Sequence, residues 1–309
     1  MPIKRLFFFP TEAQIKAGCL LKNVSPICID NENALIVADW LYCSIYRFSA
    51  SGQLLNFFGK KGQGPGEYEY INQIFPFNNG LAIMDSGNMR INIVDKTGQL
   101  TKSFRIFKTY SGIASAPNQS VFYLPPLNTE PHLIDIVNIE GQLVGKLGEK
   151  IHFKNSHPSL NSVFIQSNSA GDVWAAWRYF PVIKRYDSKG RLLADLRIND
   201  NALDDQVKAN ESVAESRAAG NKIATYGIIN GFFLTERSLF VLLYGKDVRP
   251  RIIEYGYEGE QLNVYEIMDD VEKVIYMNLV VTSVKDKKEK YFYLLQAFPE
   301  ARVDVYGIY

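Results

Sequence analysis

The sequence predicts an all-β fold: a six-bladed β-propeller with four-stranded antiparallel blades, its ring closed by the N-terminal strand. Three observations carry that expectation. A tight-turn signal recurs at Ser51-Gly52-Gln53-Leu54, Thr97-Gly98-Gln99-Leu100, Glu140-Gly141-Gln142-Leu143, Lys189-Gly190-Arg191-Leu192 and Glu258-Gly259-Glu260-Gln261-Leu262, each between β-rich runs such as SIYRF and INIVD. Its glycines stand 46, 43, 49 and 69 residues apart, and a period in the forties with this composition marks blades of four strands. Runs such as ALIVA and LFVLL are apolar on both faces, as expected where each sheet is sandwiched between neighbours.

The second repeat is the template. Strand a is expected at Ile71–Phe77, b at Gly80–Met84, c at Arg90–Val94 and d at Leu100–Ile106, with turns at Asn78-Asn79, Asp85–Met89 and Lys96–Gly98. On this template the first repeat spans Leu21–Phe58, the third Gly112–Leu147, the fourth Val163–Ile198 and the fifth Tyr226–Ile267. The sixth has strands at Tyr276–Val281, Tyr291–Leu295 and Arg302–Ile308 and lacks an outer one. Residues 1–10, with the apolar run Ile3–Phe9, are expected to supply it and so remove two exposed sheet edges. The whole of 1–309 is then one domain, with an insertion at 201–225 between blades four and five. Within it Asn201–Lys222 is rich in Ala, Glu, Asp and Lys and reads as a helical excursion, either a lid or a solvated spacer.

Composition excludes several function classes. Thirty-four Lys and Arg against 33 Asp and Glu give a net charge of +1, too little to steer nucleic acid or an anionic membrane. No apolar run reaches the roughly 18 residues of a membrane span. The opening MPIKRLFFFP has too short an apolar stretch before Pro10 to read as an export signal. Cys19, Cys28 and Cys43 are odd in number and lack CxxC spacing, so they read as buried thiols.

The stretch Ile83-Met84-Asp85-Ser86-Gly87-Asn88-Met89-Arg90-Ile91-Asn92-Ile93-Val94-Asp95-Lys96-Thr97-Gly98 resembles an NHL-type repeat: a strand ending in Asp, then Ser-x-Asn-x-Arg, a strand, Asp and Gly. The loop Phe58-Gly59-Lys60-Lys61-Gly62-Gln63-Gly64-Pro65-Gly66-Glu67-Tyr68 is similar to the glycine-rich link after the first blade in bacterial six-bladed β-propeller proteins common in Bacteroidetes. The resemblance implies the propeller architecture and relatives that are often exported. Blades three to six lack the Asp-Ser-x-Asn-x-Arg turn.

No catalytic constellation stands out. In the Gly59–Tyr68 loop the lysines precede the glycines and a strand follows, whereas a P-loop needs G-x-x-x-x-G-K-[ST] opening a helix. Asp85, Asn88 and Arg90 read as a hydrogen-bonded turn with Arg90 reaching a neighbouring blade. His152 and His157 have metal-pair spacing but no carboxylate cluster beside them, and His132 is isolated in sequence. Asp39, Asp85 and Asp172 are available for Ca²⁺ on a propeller axis, in no diagnostic pattern.

Topology is more informative. The b–c turns and d–a links emerge at one end of every blade, and that end collects Trp40, Tyr42, Lys60, Lys61, Arg90, Trp177, Arg178, Tyr179, Arg249, Arg251 and Arg302 as candidate ligand-binding residues. His132, Phe180, Lys246, Phe298 and Glu300 fall there too. Aromatics with Arg on scaffolded loops suit sugars, peptides or anions; the same residues also lock blade to blade. The reading is a monomeric, non-enzymatic binding propeller for a small molecule, glycan or peptide, with no cofactor. The alternatives are a metal-dependent hydrolase or lactonase with a divalent ion, Ca²⁺ foremost, on the axis, and a protein–protein interaction scaffold.

Overall fold

A computed structural model describes residues 1–116, 120–216, 225–245, 248–268, 274–283 and 290–308. The chain divides into two compact units, Met1–Phe107 with Ile267–Tyr309, and Lys108–Glu266. Among the described residues no helix is long and apolar enough to cross a membrane.

The first unit holds blades one, two and six. Blade one is Val24–Ile29, Leu35–Asp39, Ser44–Phe48 and Leu54–Phe58, and blade two is Ile71–Phe77, Gly80–Asp85, Arg90–Asp95 and Leu100–Arg105, each an antiparallel meander in chain order. Blade six has Ile275–Ser283, Lys290–Phe298 and Arg302–Ile308, and its outer strand is Pro2–Phe9. That strand pairs antiparallel from Ile3 opposite Ile308 to Phe9 opposite Val303, with a bulge between Arg5 and Phe7. Ile3 and Phe9 are buried, and Phe9 lies 4.6 Å from the Phe48 ring of blade one. The Tyr293 hydroxyl donates to the Ala50 carbonyl at 3.1 Å, so the first and last repeats meet through both packing and a hydrogen bond. A short helix, α1 (Glu12–Lys16), follows the N-terminal strand and carries a capping box of Thr11 and Gln14.

The second unit holds blades three, four and five. Blade four is Val163–Ser167, Val173–Trp177, Val182–Tyr186 and Leu192–Arg197, and blade five is Ile229–Leu234, Ser238–Gly245, Val248–Gly256 and Gln261–Ile267. Blade three has Val121–Leu124, His132–Asn138 and Leu143–Glu149, while its inner segment makes only isolated bridges, Tyr110 to Pro126 and Ala114 to Tyr123. The expected fourth strand is thus irregular here. Pro125 and Pro126 stand opposite it with no N–H to offer, so a regular ladder would lack two donors.

The recurring glycines do two jobs. At Gly98 the backbone has φ +89°, which a side chain resists, and a Cβ would also sit 2.2 Å from the ring of Phe58 in the preceding blade's outer strand. Gly52, at φ +80°, is likewise pressed by Phe9 and Phe7 of the strand that completes blade six. Leu196 sits against Gly259 in the same way, while Leu147 touches Gly190 at ordinary contact distance, 3.7 Å from where a Cβ would stand. The turn glycine is a seat for the neighbouring blade's apolar side chain. Three residues before it Asp95, Asn138 or Asp187 closes the turn by accepting backbone amides, from Thr97 and Gln99 at Asp95 and from Lys189 and Arg191 at Asp187.

The insertion forms the helix Asp204–Glu215, here called α2. Its buried face is Gln206, Asn210 and Ala214, a spacing of one turn and a little more, and Leu203 just ahead of it belongs to the core of blades four and five.

Candidate functional site

At the b–c turn end of blades one and two, a buried Asp closes strand b. Asp39 accepts the amides of Lys22 and Asn23 at 2.7 and 2.9 Å and those of Leu41 and Tyr42 at 3.0 and 2.9 Å. Asp85 accepts the amides of Glu69 and Tyr70 at 3.1 Å each, the Asn88 amide at 3.3 Å and Asn88 Nδ2 at 2.7 Å. Each carboxylate therefore joins the link entering strand a to the turn leaving strand b. Arg90 extends the second clamp: its guanidinium donates to the carbonyls of Gln63, Gly64 and Glu67 at 3.0, 3.2 and 2.7 Å and lies 3.4 Å from Asp85.

The Gly59–Tyr68 loop is thus wrapped around Arg90. Its own amides turn inward, Gly62 to the Tyr68 carbonyl and Gly64 to the Glu67 carboxylate, where a phosphate cradle would aim them outward. Lys60 pairs with Glu67 at 3.0 Å and Lys61 with Glu69 at 3.5 Å, both heads in solvent. The Gly64 amide and Lys60 hold the Glu67 carboxyl below its usual range.

With those polar groups engaged, an apolar surface remains at this end of the first unit. Trp40 packs on Tyr70 with ring centroids 5.2 Å apart, and Tyr42 lies under the Lys22 ammonium at 5.6 Å. Leu41, Tyr42, Tyr70 and Met89 are exposed, as are Ile275 and Phe298, which pair at the corresponding end of blade six; Phe298 is 53% accessible. Arg302 lies over the Phe8 ring at 4.7 Å and ion-pairs with buried Asp304 at 2.8 Å.

In the second unit Trp177 stands where Asp39 and Asp85 stand, at the end of strand b, fully buried. Its Nε1 donates to Asn161 Oδ1 at 3.0 Å, and the same oxygen accepts the Ile151 amide at 2.9 Å. A Trp–Asn pair here replaces the carboxylate clamp. Arg178 has its carbonyl bonded by the amides of Ile228 and Ile229 and its guanidinium over the Phe164 ring at 5.1 Å. The Tyr179 carbonyl accepts Asn210 Nδ2 at 2.8 Å, so α2 is fastened to this turn. Arg251 ion-pairs with Asp200, Arg249 is exposed, and Phe180 is buried against Phe153. Lys246 lies outside the described residues.

Spacing alone pointed past a network in blade three. His132 Nε2 bonds Asp135 at 2.7 Å and its Nδ1 lies 3.3 Å from Glu130; Lys108 reaches Asp135 at 3.1 Å and Glu130 at 3.3 Å, and the Tyr110 hydroxyl donates to Asp135 at 3.1 Å. These residues come from the link before strand a, the b–c turn and strand c, which no single sequence window spans. Among the described residues no three His, Cys, Asp or Glu gather to hold a metal. Asp172 is taken by Arg185, at 2.6 Å. The three thiols are buried, and burial pushes Cys19 up to about 12. A cavity of about 440 Å³ lies at the opposite end of blades one and two, between their a–b turns and the Asp95–Thr97 turn.

These blades make the protein an all-β propeller, and comparison with known proteins agrees. A family described as a 6-bladed beta-propeller matches residues 13–109. The structure is similar to that of a candidate exported protein from Bacteroides fragilis, 16% identical, with TM-score 0.64 over 99% of this chain and 94% of that one. Virginiamycin B lyase from Staphylococcus aureus is similar at 10% identity and TM-score 0.53, over 93% of this chain and 80% of that one. A protein of unknown function from Bacteroides caccae is similar at TM-score 0.53 and 11% identity, over 82% and 85% of the two chains. At these identities the likeness establishes the fold alone. No curated protein matches the sequence.

Proposed function

We propose that this is a bacterial, NHL-like binding propeller that takes a small molecule, glycan or peptide on the b–c turn end of its blades. The observation that carries the reading is the exposed apolar surface of Leu41, Tyr42, Tyr70, Met89, Ile275 and Phe298 on three adjacent blades of the first unit, over a layer whose polar groups are spent on each other. Solvent-exposed aromatics held by rigid clamps are inexpensive to order against a ligand and offer faces for sugar rings or side chains. The lysines at its edge, Lys22, Lys60 and Lys61, supply adjustable charge.

The same turns argue against a divalent ion on Asp39 or Asp85, because those carboxylates already accept four donors each. Export, as named for the Bacteroides fragilis neighbour, fits a ligand gathered outside the cell. A thermal-shift screen with glycans and short peptides tests the proposal. A hit is expected to lose at least tenfold in affinity in Tyr42→Ser and Phe298→Ser with the melting temperature of the free protein kept. Hits insensitive to both variants would place binding elsewhere.

A further inference from the structure

The cavity of about 440 Å³ at the a–b turn end of blades one and two is lined by two kinds of surface. Its apolar side is Ile36 and Leu81, buried in the shared core of the two blades, with Phe58 packed half-buried against that core. Its polar side comes mainly from the a–b turn of blade one and the c–d turn of blade two. Two bonds tie the blades together here: Asn31 donates from Nδ2 to the Asn78 carbonyl, and Lys96 meets Glu32 at 2.9 Å. The volume lies in the range of sites that take a small organic molecule.

Charge decides which molecule fits. Three carboxylates, Asp30, Glu32 and Asp95, line the cavity with two cations, Arg47 and Lys96. Both cations are spent on the first two acids: Arg47 meets Asp30 at 2.7 Å and Glu32 at 2.6 Å, and Lys96 meets Glu32. An anionic ligand would have to take them from carboxylates fixed in place, since Asp30 is itself pinned by the amides of Glu32 and Ala34 at 2.9 Å each. Asp95 is the acid left over. Its Oδ1 accepts the Thr97 amide and hydroxyl and the Gln99 amide, at 2.9, 2.7 and 3.0 Å, while its Oδ2 meets no cation among the described residues. The turn donors hold the carboxyl below its usual range, so it is ionised at neutral pH. An unpaired carboxylate beside an apolar wall matches a ligand that carries a positive charge on an apolar body, through one charge-assisted bond and the burial of that body.

We infer that the cavity between blades one and two is a binding site for an organic ammonium, its apolar body on Ile36, Phe58 and Leu81 and its N–H donors on Asp95. The site lies at the opposite end of the blades from the exposed aromatic surface and holds whether or not that surface binds anything.

The test is calorimetric titration of the full chain with three molecules of one shape and different charge, benzylamine, benzyl alcohol and benzoate, and with methylamine as a cation lacking the apolar body. Benzylamine is expected to bind saturably and at least tenfold more tightly than the other three. Asp95→Asn should weaken it tenfold or more, and the turn itself should survive, because Asn138 accepts the equivalent pair of amides in blade three. Lys96→Met, which removes a positive charge from the wall, should tighten binding. Asp187→Asn, which removes a carboxylate from the equivalent turn of blade four, should leave it unchanged. Benzyl alcohol, benzoate or methylamine binding as tightly as benzylamine overturns the inference, as does benzylamine that fails to bind saturably or binds undiminished in Asp95→Asn. Should Asp95→Asn fail to fold, Lys96→Met decides: affinity no greater than the parent's overturns the inference.

Discussion

Single carboxylates decide how the turns of this protein are held. Asp85 is fully buried and satisfies three backbone amides and one side-chain amide, so Asp85→Ala strands amide donors beneath the surface and should cost about 3 kcal/mol, at the upper end for unsatisfied buried groups. Urea unfolding of the variant measures it. The loop around Arg90 should loosen with it, seen as faster amide exchange at Gly62 and Gly64. On the opposite end Asp95 and Asp187 are partly buried, and their carboxyls lie below the usual carboxylate range: the Thr97 hydroxyl and the Gln99 amide lower Asp95, and the Arg191 amide and side chain lower Asp187. A depressed folded-state value means the contribution is complete above the unfolded-state pKa and fades as pH falls through the folded one. Stability should therefore decline below about pH 4. In Asp95→Asn with Asp187→Asn that part of the acid slope should flatten, which melting curves from pH 6 to pH 2 check.

At the scale of elements, much of the architecture was readable and much of the site was not. Strand c of blade two starts at Arg90 as expected because a strand with Ile and Val on alternating sides declares itself, and the turn at Gly98 is declared by Asp95-x-x-Gly98. Strand a of blade three escaped, since its irregularity comes from prolines in the segment opposite. Trp177 illustrates the limit more sharply: in sequence it is one more aromatic on a loop, and only its place at the end of strand b shows that it substitutes for a buried Asp. Helix α2 was visible as a helix but not as a fastened one. Asn210 bonds the carbonyls of Tyr179 and Tyr226 and the Tyr226 amide, and Asn155 bonds the Val213 and Ala214 carbonyls. Asn210→Ala should cost about 2 kcal/mol. Excision of 201–225 should lower the melting temperature by more, because Leu203 leaves the core with it. An excised protein as stable as the parent would make the helix a spacer.

At the scale of the molecule, sequence-distant ends are brought into one sheet. Removing residues 2–9 uncovers the Arg302–Ile308 strand as an edge and strips Phe9 from Phe48 and Gly52, so the truncated protein should aggregate or melt far below the full chain, as light scattering and calorimetry would show. A monomeric product with the parent's melting temperature would refute this. The glycine seats carry the same logic into the protein's history. In each of the four resolved cases the apolar side chain precedes its glycine in the sequence: Phe9 before Gly52, Phe58 before Gly98, Leu147 before Gly190 and Leu196 before Gly259. The contiguous cassette that keeps bulky residue and glycine together starts with the outer strand of one blade and ends in the third strand's turn of the next. Inheritance and architecture are out of phase by one strand. Duplication or grafting cut at blade borders would part every such couple, whereas a cut one strand earlier would copy them intact.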